Sequence, residues 1–149
     1  MCEKILLIDG HSILNRAFYG LPDLTNSEGL HTGAVYGFLN ILFKVLGEEK
    51  PEYLAVAFDR SEPTFRHAKY PEYKGTRKPM PQELKEQIPL LKEMLEKMGI
   101  ATVSLAGFEA DDILGTLAKK GEEKGFVTTV VSGDRDLLQI CSASITVRI

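Results

Sequence analysis

The chain predicts an α/β fold, a mostly parallel sheet flanked by helices. Three observations carry that expectation. Short apolar runs alternate with segments of helical period along the 149 residues. Each of the first four runs is followed closely by a carboxylate. No internal repeat breaks the order. Such alternation favours parallel strands joined by right-handed crossovers.

Lys4–Ile8 reads as a buried strand ending in Asp9-Gly10, and residues 11–19 as a short helix carrying Arg16. Gly20, Pro22, Asn26, Ser27 and Gly29 mark residues 20–31 as a loop. Thr32 is placed to cap a helix running to about Glu49, with Val35, Phe38, Leu39, Leu42, Val45 and Leu46 on one stripe, stopped by Pro51. Tyr53–Phe58 is the second strand, followed by Asp59. Residues 60–80 lack apolar periodicity and interleave bases with Phe65, Tyr70 and Tyr73. Pro81 opens a helix to about Met98, striped by Leu84, Ile88, Leu91 and Leu95, kinked by Pro89 and ended by Gly99. Thr102–Leu105 is a third strand, 109–124 an acidic helix and Val127–Val131 a fourth strand. A short helix over Leu137–Ile140 and a fifth strand over Ile145–Ile149 complete the reading.

Apolar content of 44% and charged content of 26% fit one globular domain with a real core. No apolar run approaches the roughly 20 residues of a membrane span. The start goes from Met1 straight into the first strand, without a signal-peptide pattern. Cys2 and Cys141 are too few for a disulfide framework or a cysteine-type zinc site, so a cytoplasmic setting is expected.

Gly107–Asp112 (GFEADD) sets three carboxylates, Glu109, Asp111 and Asp112, at a helix start. Acids there complement the helix dipole, but one or two would suffice, and three crowd like charges. Helical spacing puts Glu109 and Asp112 on one face and turns Asp111 away from Glu109. Ligands of parallel sheets bind beyond the carboxyl ends of the strands. Asp9, Asp59, Glu109, Asp111, Asp112, Asp134 and Asp136 all follow strand ends, so seven acids from four crossovers are expected to meet at one edge. Carboxylates without cysteine suit Mg²⁺ or Mn²⁺, and two such ions can hydrolyse a phosphodiester. The net charge of −3 hides a polarity: Arg60 to Lys78 holds six bases against two acids. With the seven clustered acids set aside, fourteen acids face eighteen bases, which suits a phosphate backbone. Aromatics among those bases suit stacking on unpaired bases of a nucleic acid.

Leu7-Ile8-Asp9-Gly10, Phe58-Asp59, Tyr73–Pro81 (YKGTRKPMP), GFEADD and Ser132–Gln139 (SGDRDLLQ) occur in this order at domain-scale spacing. The ordered set resembles the 5′-nuclease (flap endonuclease) domain at the N-terminus of bacterial DNA polymerase I, across essentially the whole chain. The resemblance implies a PIN-like fold and a 5′-3′ exonuclease domain whose arch spans about residues 60–80. It implies a substrate of 5′ flaps or nicked and branched duplex DNA, 5′-phosphorylated products, and a role in Okazaki-fragment processing and repair. By the same resemblance Asp9, Asp59, Glu109, Asp111 and Asp112 form the first metal cluster, and Asp134 and Asp136 lie between two metals. Lys74 matches a catalytic lysine at the scissile phosphate and Arg77 a basic residue of the arch. Tyr73 matches an aromatic that stacks on substrate, Arg16 a phosphate contact, and Lys78 joins them in binding DNA.

The family carries two more aspartates of the second metal site, on a helix–hairpin–helix part, after the position where this chain stops. That departure implies an incomplete second site, little independent cleavage, and self-association through the surface left open. Other readings share some features. An aspartyl-nucleophile phosphatase would want a second acid where His11 stands, which reads as a polar turn residue. A topoisomerase–primase metal domain lacks the YKGTRKPMP segment, and a PIN-type ribonuclease lacks a reason for the basic arch. A non-catalytic DNA-binding or assembly module also fits. No G-x-G-x-x-G or Walker lysine loop points to a nucleotide cofactor.

Overall fold

A computed structural model describes residues 3–20, 27, 29, 31–59, 81–105 and 108–148. The arch segment with Tyr73, Lys74, Arg77 and Lys78, most of the 20–31 loop and Cys2 lie outside the described residues, as does the side chain of Asp136.

Five strands form one sheet: β1 (Lys4–Asp9), β2 (Tyr53–Ala57), β3 (Ala101–Val103), β4 (Val127–Val131) and β5 (Ile145–Arg148). All four pairings are parallel, in the order β3-β2-β1-β4-β5. The chain winds outward from β1 in one direction through β2 and β3, then in the other through β4 and β5. The direction reverses between β1 and β4, the kind of position where open α/β sheets form their ligand crevice.

Both faces of the sheet are covered, so its strands are apolar on both sides. Along β1 the side chains alternate. Leu6 and Ile8 pack with α1 (Gly10–Gly20), α2 (Gly33–Glu49) and α4 (Gln87–Lys97), among Ile13, Phe38, Leu42, Leu91 and Leu95. Leu7 packs on the opposite face with Leu114 and Ala118 of α5 (Ala110–Glu123), Val130 and Leu137. Among the described residues, no helix is long and apolar enough to cross a membrane.

Several boundaries differ from the sequence expectation. The helix predicted from Pro81 is two, α3 (Gln82–Lys85) and α4, parted at Glu86. Pro89 has no N–H for the carbonyl of Lys85, so the break falls one turn before the proline rather than at it. Thr32 precedes α2 but makes no side-chain capping bond. That task falls to Gln87, whose Oε1 accepts the N–H groups of Ala34 at 2.8 Å and Val35 at 3.2 Å. Helix α2 ends on Lys50 in the left-handed region (φ 48°), one residue before Pro51. Leu105 lies outside β3, and the turn after β4 is a 3₁₀ helix over Arg135–Ile140, longer than predicted.

Candidate active site

The crossovers deliver the acids as their positions in sequence require. Asp9 is the last residue of β1, Asp59 follows β2, Glu109 precedes α5, Asp111 and Asp112 occupy its first turn, and Asp134 follows β4. These six line one cavity of about 1030 Å³ at the carboxyl edge of the sheet. Arg16, on α1, is exposed, and its Nη2 lies 3.3 Å from where a Cβ on Gly133 would sit.

Local chemistry places each carboxyl. Glu109 is the residue before α5 and pairs reciprocally with Asp112 in a capping box, Asp112 Oδ2 accepting the Glu109 N–H at 3.1 Å. Those two acids therefore do serve the helix start. Asp111 does not. Its carboxyl hydrogen-bonds to Asp134 and Asp9. Burial, those two contacts and the charges of Asp9 and Asp134 push Asp111 up to about 8. Asp9 is 5% exposed. Burial raises its pKa, opposed by bonds from the Ser12 N–H at 3.3 Å and the Ser132 hydroxyl at 3.0 Å. Asp59 accepts the Ala110 N–H at 2.6 Å.

His11 sits in the first turn of α1, not in a free turn, and lines the cavity. Its Nδ1 accepts the Asp59 N–H at 3.1 Å, and its ring meets Phe58 edge-on at 5.6 Å. Burial lowers its pKa, with Lys92 adding to the effect and Asp59 opposing it. Nδ1 therefore carries no proton, and the 3.8 Å approach of Nδ1 to Asp59 Oδ2 is a neutral contact rather than an ion pair. Ser12, Asn15, Thr116, Lys119 and Lys120 also line the cavity. Helical spacing from Asp112 to Thr116 and Lys119 could have shown the last group, because they share a face of α5. Ser132 and His11 carried no such signal, since a hydroxyl or imidazole beside an acid is ordinary turn chemistry.

The donor set fits a hard divalent cation. It is all carboxylate oxygen, and a carboxylate has about four acceptor sites, so one or two hydrogen bonds leave capacity for a ligand bond. Burial first, then the neighbouring Asp134 and Asp9, raise the Asp111 pKa, and a cation among these carboxyls would offset both effects. Among the described residues, no three His, Cys, Asp or Glu side chains are gathered into a group that could hold a metal as they stand. The physical reason is visible in the bonds above: Asp9, Asp59 and Asp112 are turned toward N–H and O–H donors.

The 5′-3′ exonuclease, N-terminal resolvase-like domain family matches residues 4–149. The chain is 52% identical over its whole length to DNA polymerase I of Bacillus caldotenax, and 50% identical over 99% of its length to that of Bacillus subtilis. It spans 17% of each of those relatives. Bacteriophage T5 5′-exonuclease with bound zinc matches 97% of the chain with 54% of its own, at 21% identity and a TM-score of 0.74. A T5 flap endonuclease in a pseudo-enzyme-product complex with DNA and metal ions matches at 21% identity and a TM-score of 0.72, with the same coverage. At that identity the T5 structures show a shared fold. The family match over nearly the full chain shows more: this chain belongs to the 5′-3′ exonuclease N-terminal resolvase-like domain family.

Proposed function

We propose that residues 1–149 form the N-terminal part of a metal-dependent 5′-nuclease domain of the polymerase I type. The domain hydrolyses phosphodiesters at 5′ ends or flaps of branched DNA. The observation that carries this reading is the convergence of six carboxylates from four crossovers on one cavity at the β1–β4 reversal. The relatives are DNA polymerases I, and the T5 proteins of the same fold are described with metal ions and with DNA.

Asp9, Asp59, Glu109, Asp111, Asp112, Asp134 and Asp136 are the proposed ligand residues for Mg²⁺ or Mn²⁺ in a two-metal arrangement. Divalent ions held by these carboxylates would activate a water as nucleophile and would stabilise the leaving oxygen. The chain's own residues orient and shield. The Ala110 N–H fixes Asp59, and His11 holds the start of the turn that carries it. Lys74 and Arg77 act on the scissile phosphate from the arch, Tyr73 stacks on substrate, and Arg16 and Lys78 hold backbone phosphates. A basic, aromatic-bearing stretch over 60–80 in the same sequence as an acidic cavity favours branched DNA over RNA.

A labelled 5′-flap duplex titrated with Mn²⁺ tests this. Cleavage by the chain, abolished by Asp112→Asn, supports the nuclease. Binding without cleavage supports a DNA-binding module. Cleavage of single-stranded RNA in preference to the flap supports a ribonuclease.

A further inference from the structure

Two serines outside the acid set tie the turn after β1 to the turn after β4. Ser132 follows β4 directly, and its side chain is fully buried (0% exposed). Its Oγ accepts the Asp134 N–H at 3.0 Å and donates to Asp9 Oδ2 at 3.0 Å. Ser12 is the third residue of α1. Its N–H donates to Asp9 Oδ1 at 3.3 Å, and its Oγ accepts the Gly133 N–H at 2.7 Å. Both oxygens of Asp9 are thus oriented, one by each serine. Two successive amides after β4, those of Gly133 and Asp134, are each held by a different serine.

We propose that Ser12 and Ser132 form a clamp that sets the orientation of Asp9 and its spacing from Asp134, and that Ser132 is its chief positioning residue for the divalent cation. This rests on the metal-dependent reading above. A plain turn explains part of the pattern, because a serine hydroxyl often accepts the N–H two residues on. It does not explain why the same hydroxyl spends its one proton on a carboxylate 123 positions away, nor why a second serine closes the loop from the other side. Register makes the arrangement natural. Ile8 pairs with Val131, so the next residues, Asp9 and Ser132, stand level at the sheet edge. Gly133 completes it, since a Cβ there would lie 2.9 Å from Ser12 Oγ. A Cβ at that position would push the Ser12 hydroxyl aside.

A hydroxyl has one proton, and here the proton goes to Asp9, leaving the lone pairs for Asp134. Removing it takes a hydrogen bond from Asp9 Oδ2 and another from the part-buried Asp134 N–H. Groups that orient a metal ligand typically change metal affinity by about 10–100-fold when lost. Ser12 matters less, because its contact with Asp9 comes from the main chain and survives substitution.

The test is Mn²⁺ affinity of the 149-residue chain, measured by calorimetry or electron paramagnetic resonance, with thermal unfolding in chelator run alongside. Ser132→Ala and Ser132→Cys are expected to weaken Mn²⁺ binding by about 10–100-fold at temperatures where each is fully folded. Ser12→Ala should weaken it less, and Ser12→Ala with Ser132→Ala should fall short of the product of the two single effects. The cysteine variant keeps the volume and loses most of the hydrogen bonding, so it decides the matter should the alanine variant fail to fold. Both Ser132 variants binding Mn²⁺ within about twofold of the parent overturns the clamp while leaving the metal reading intact. A parent chain that binds no Mn²⁺ overturns the metal reading, and the clamp with it.

Discussion

Asp59 Oδ1 accepts the main-chain N–H of Ala110 at 2.6 Å, across 51 positions of sequence. Ala110 is the first residue of α5, where N–H groups have no partner inside the helix. One carboxylate therefore caps α5 and also faces the cavity. The two roles are separable. Asp59→Asn keeps an oxygen acceptor and loses the charge, whereas Asp59→Ala loses both. Denaturant unfolding should show Asp59→Ala destabilised by about 1 kcal/mol and Asp59→Asn by clearly less. Both should lose Mn²⁺ affinity. Equal stability of Asp59→Ala and the parent would contradict the capping role.

Asp111 makes the metal-free chain pH-sensitive. Its pKa is about 8 in the folded chain, against an ordinary 3.8. Below 3.8 both the folded and unfolded chains hold the proton. Between the two values only the folded chain holds it, so this contribution to stability is lost as pH rises toward 8. The raised pKa of Asp9 acts in the same direction. Thermal unfolding in chelator should therefore show stability falling from about pH 5 to pH 8, with Asp111→Asn flattening the slope. Mn²⁺ binding at pH 7 should release a proton, visible as a dependence of the calorimetric heat on buffer ionisation. A flat profile and no proton release would exclude the shared-proton arrangement.

Gln87 couples α4 to α2 through a buried bond set. It is 1% exposed, its Oε1 accepts the Ala34 and Val35 N–H groups in the first turn of α2, and its Nε2 donates to the Glu83 carbonyl at 2.9 Å. Gln87→Leu keeps the approximate shape and strands two buried donors. The expected loss is about 1–3 kcal/mol per stranded group, read by urea unfolding. A change under about 0.5 kcal/mol, the size of an ordinary surface substitution, would mean that water replaces the amide.

Gly10 has no room for a side chain. A Cβ there would lie 2.6 Å from Phe58 Cε1 and 2.9 Å from the Ala57 carbonyl oxygen. Phe58 is buried and Ala57 is backbone, so neither yields cheaply. Gly10→Ala should cost about 1–3 kcal/mol in thermal or chemical unfolding. Gly20→Ala, with nothing within 4 Å of its Cβ, is the control and should be neutral or mildly stabilising.

Much of this was legible in the order of residues. Lys4–Ile8 and Val127–Val131 read as strands because each is a short β-branched or aliphatic run bounded by polar residues, and both are strands. The meeting of strand-end acids followed from the parallel-sheet reading, and Asp9, Asp111 and Asp134 line one cavity. What escaped is non-local. Gln87 caps a helix that starts 54 positions earlier, at Gly33, so nothing near Thr32 could announce it. Ser132 reaches Asp9 only because β4 lies beside β1, a pairing that alternation of elements leaves open. His11 looked like turn chemistry because its partner, the Asp59 N–H, lies 48 positions away.

The central claim is that carboxylates from separate crossovers hold a divalent ion in common at the β1–β4 reversal. Anomalous diffraction from crystals of the chain grown with Mn²⁺ tests it most directly. The account predicts a manganese peak in the cavity, at about 2.0–2.4 Å from oxygens of acids belonging to at least two crossovers, Asp9 and Asp111 or Asp134 among them. Manganese found only at other surfaces, with Asp9, Asp111 and Asp134 still hydrogen-bonded to one another, would contradict it.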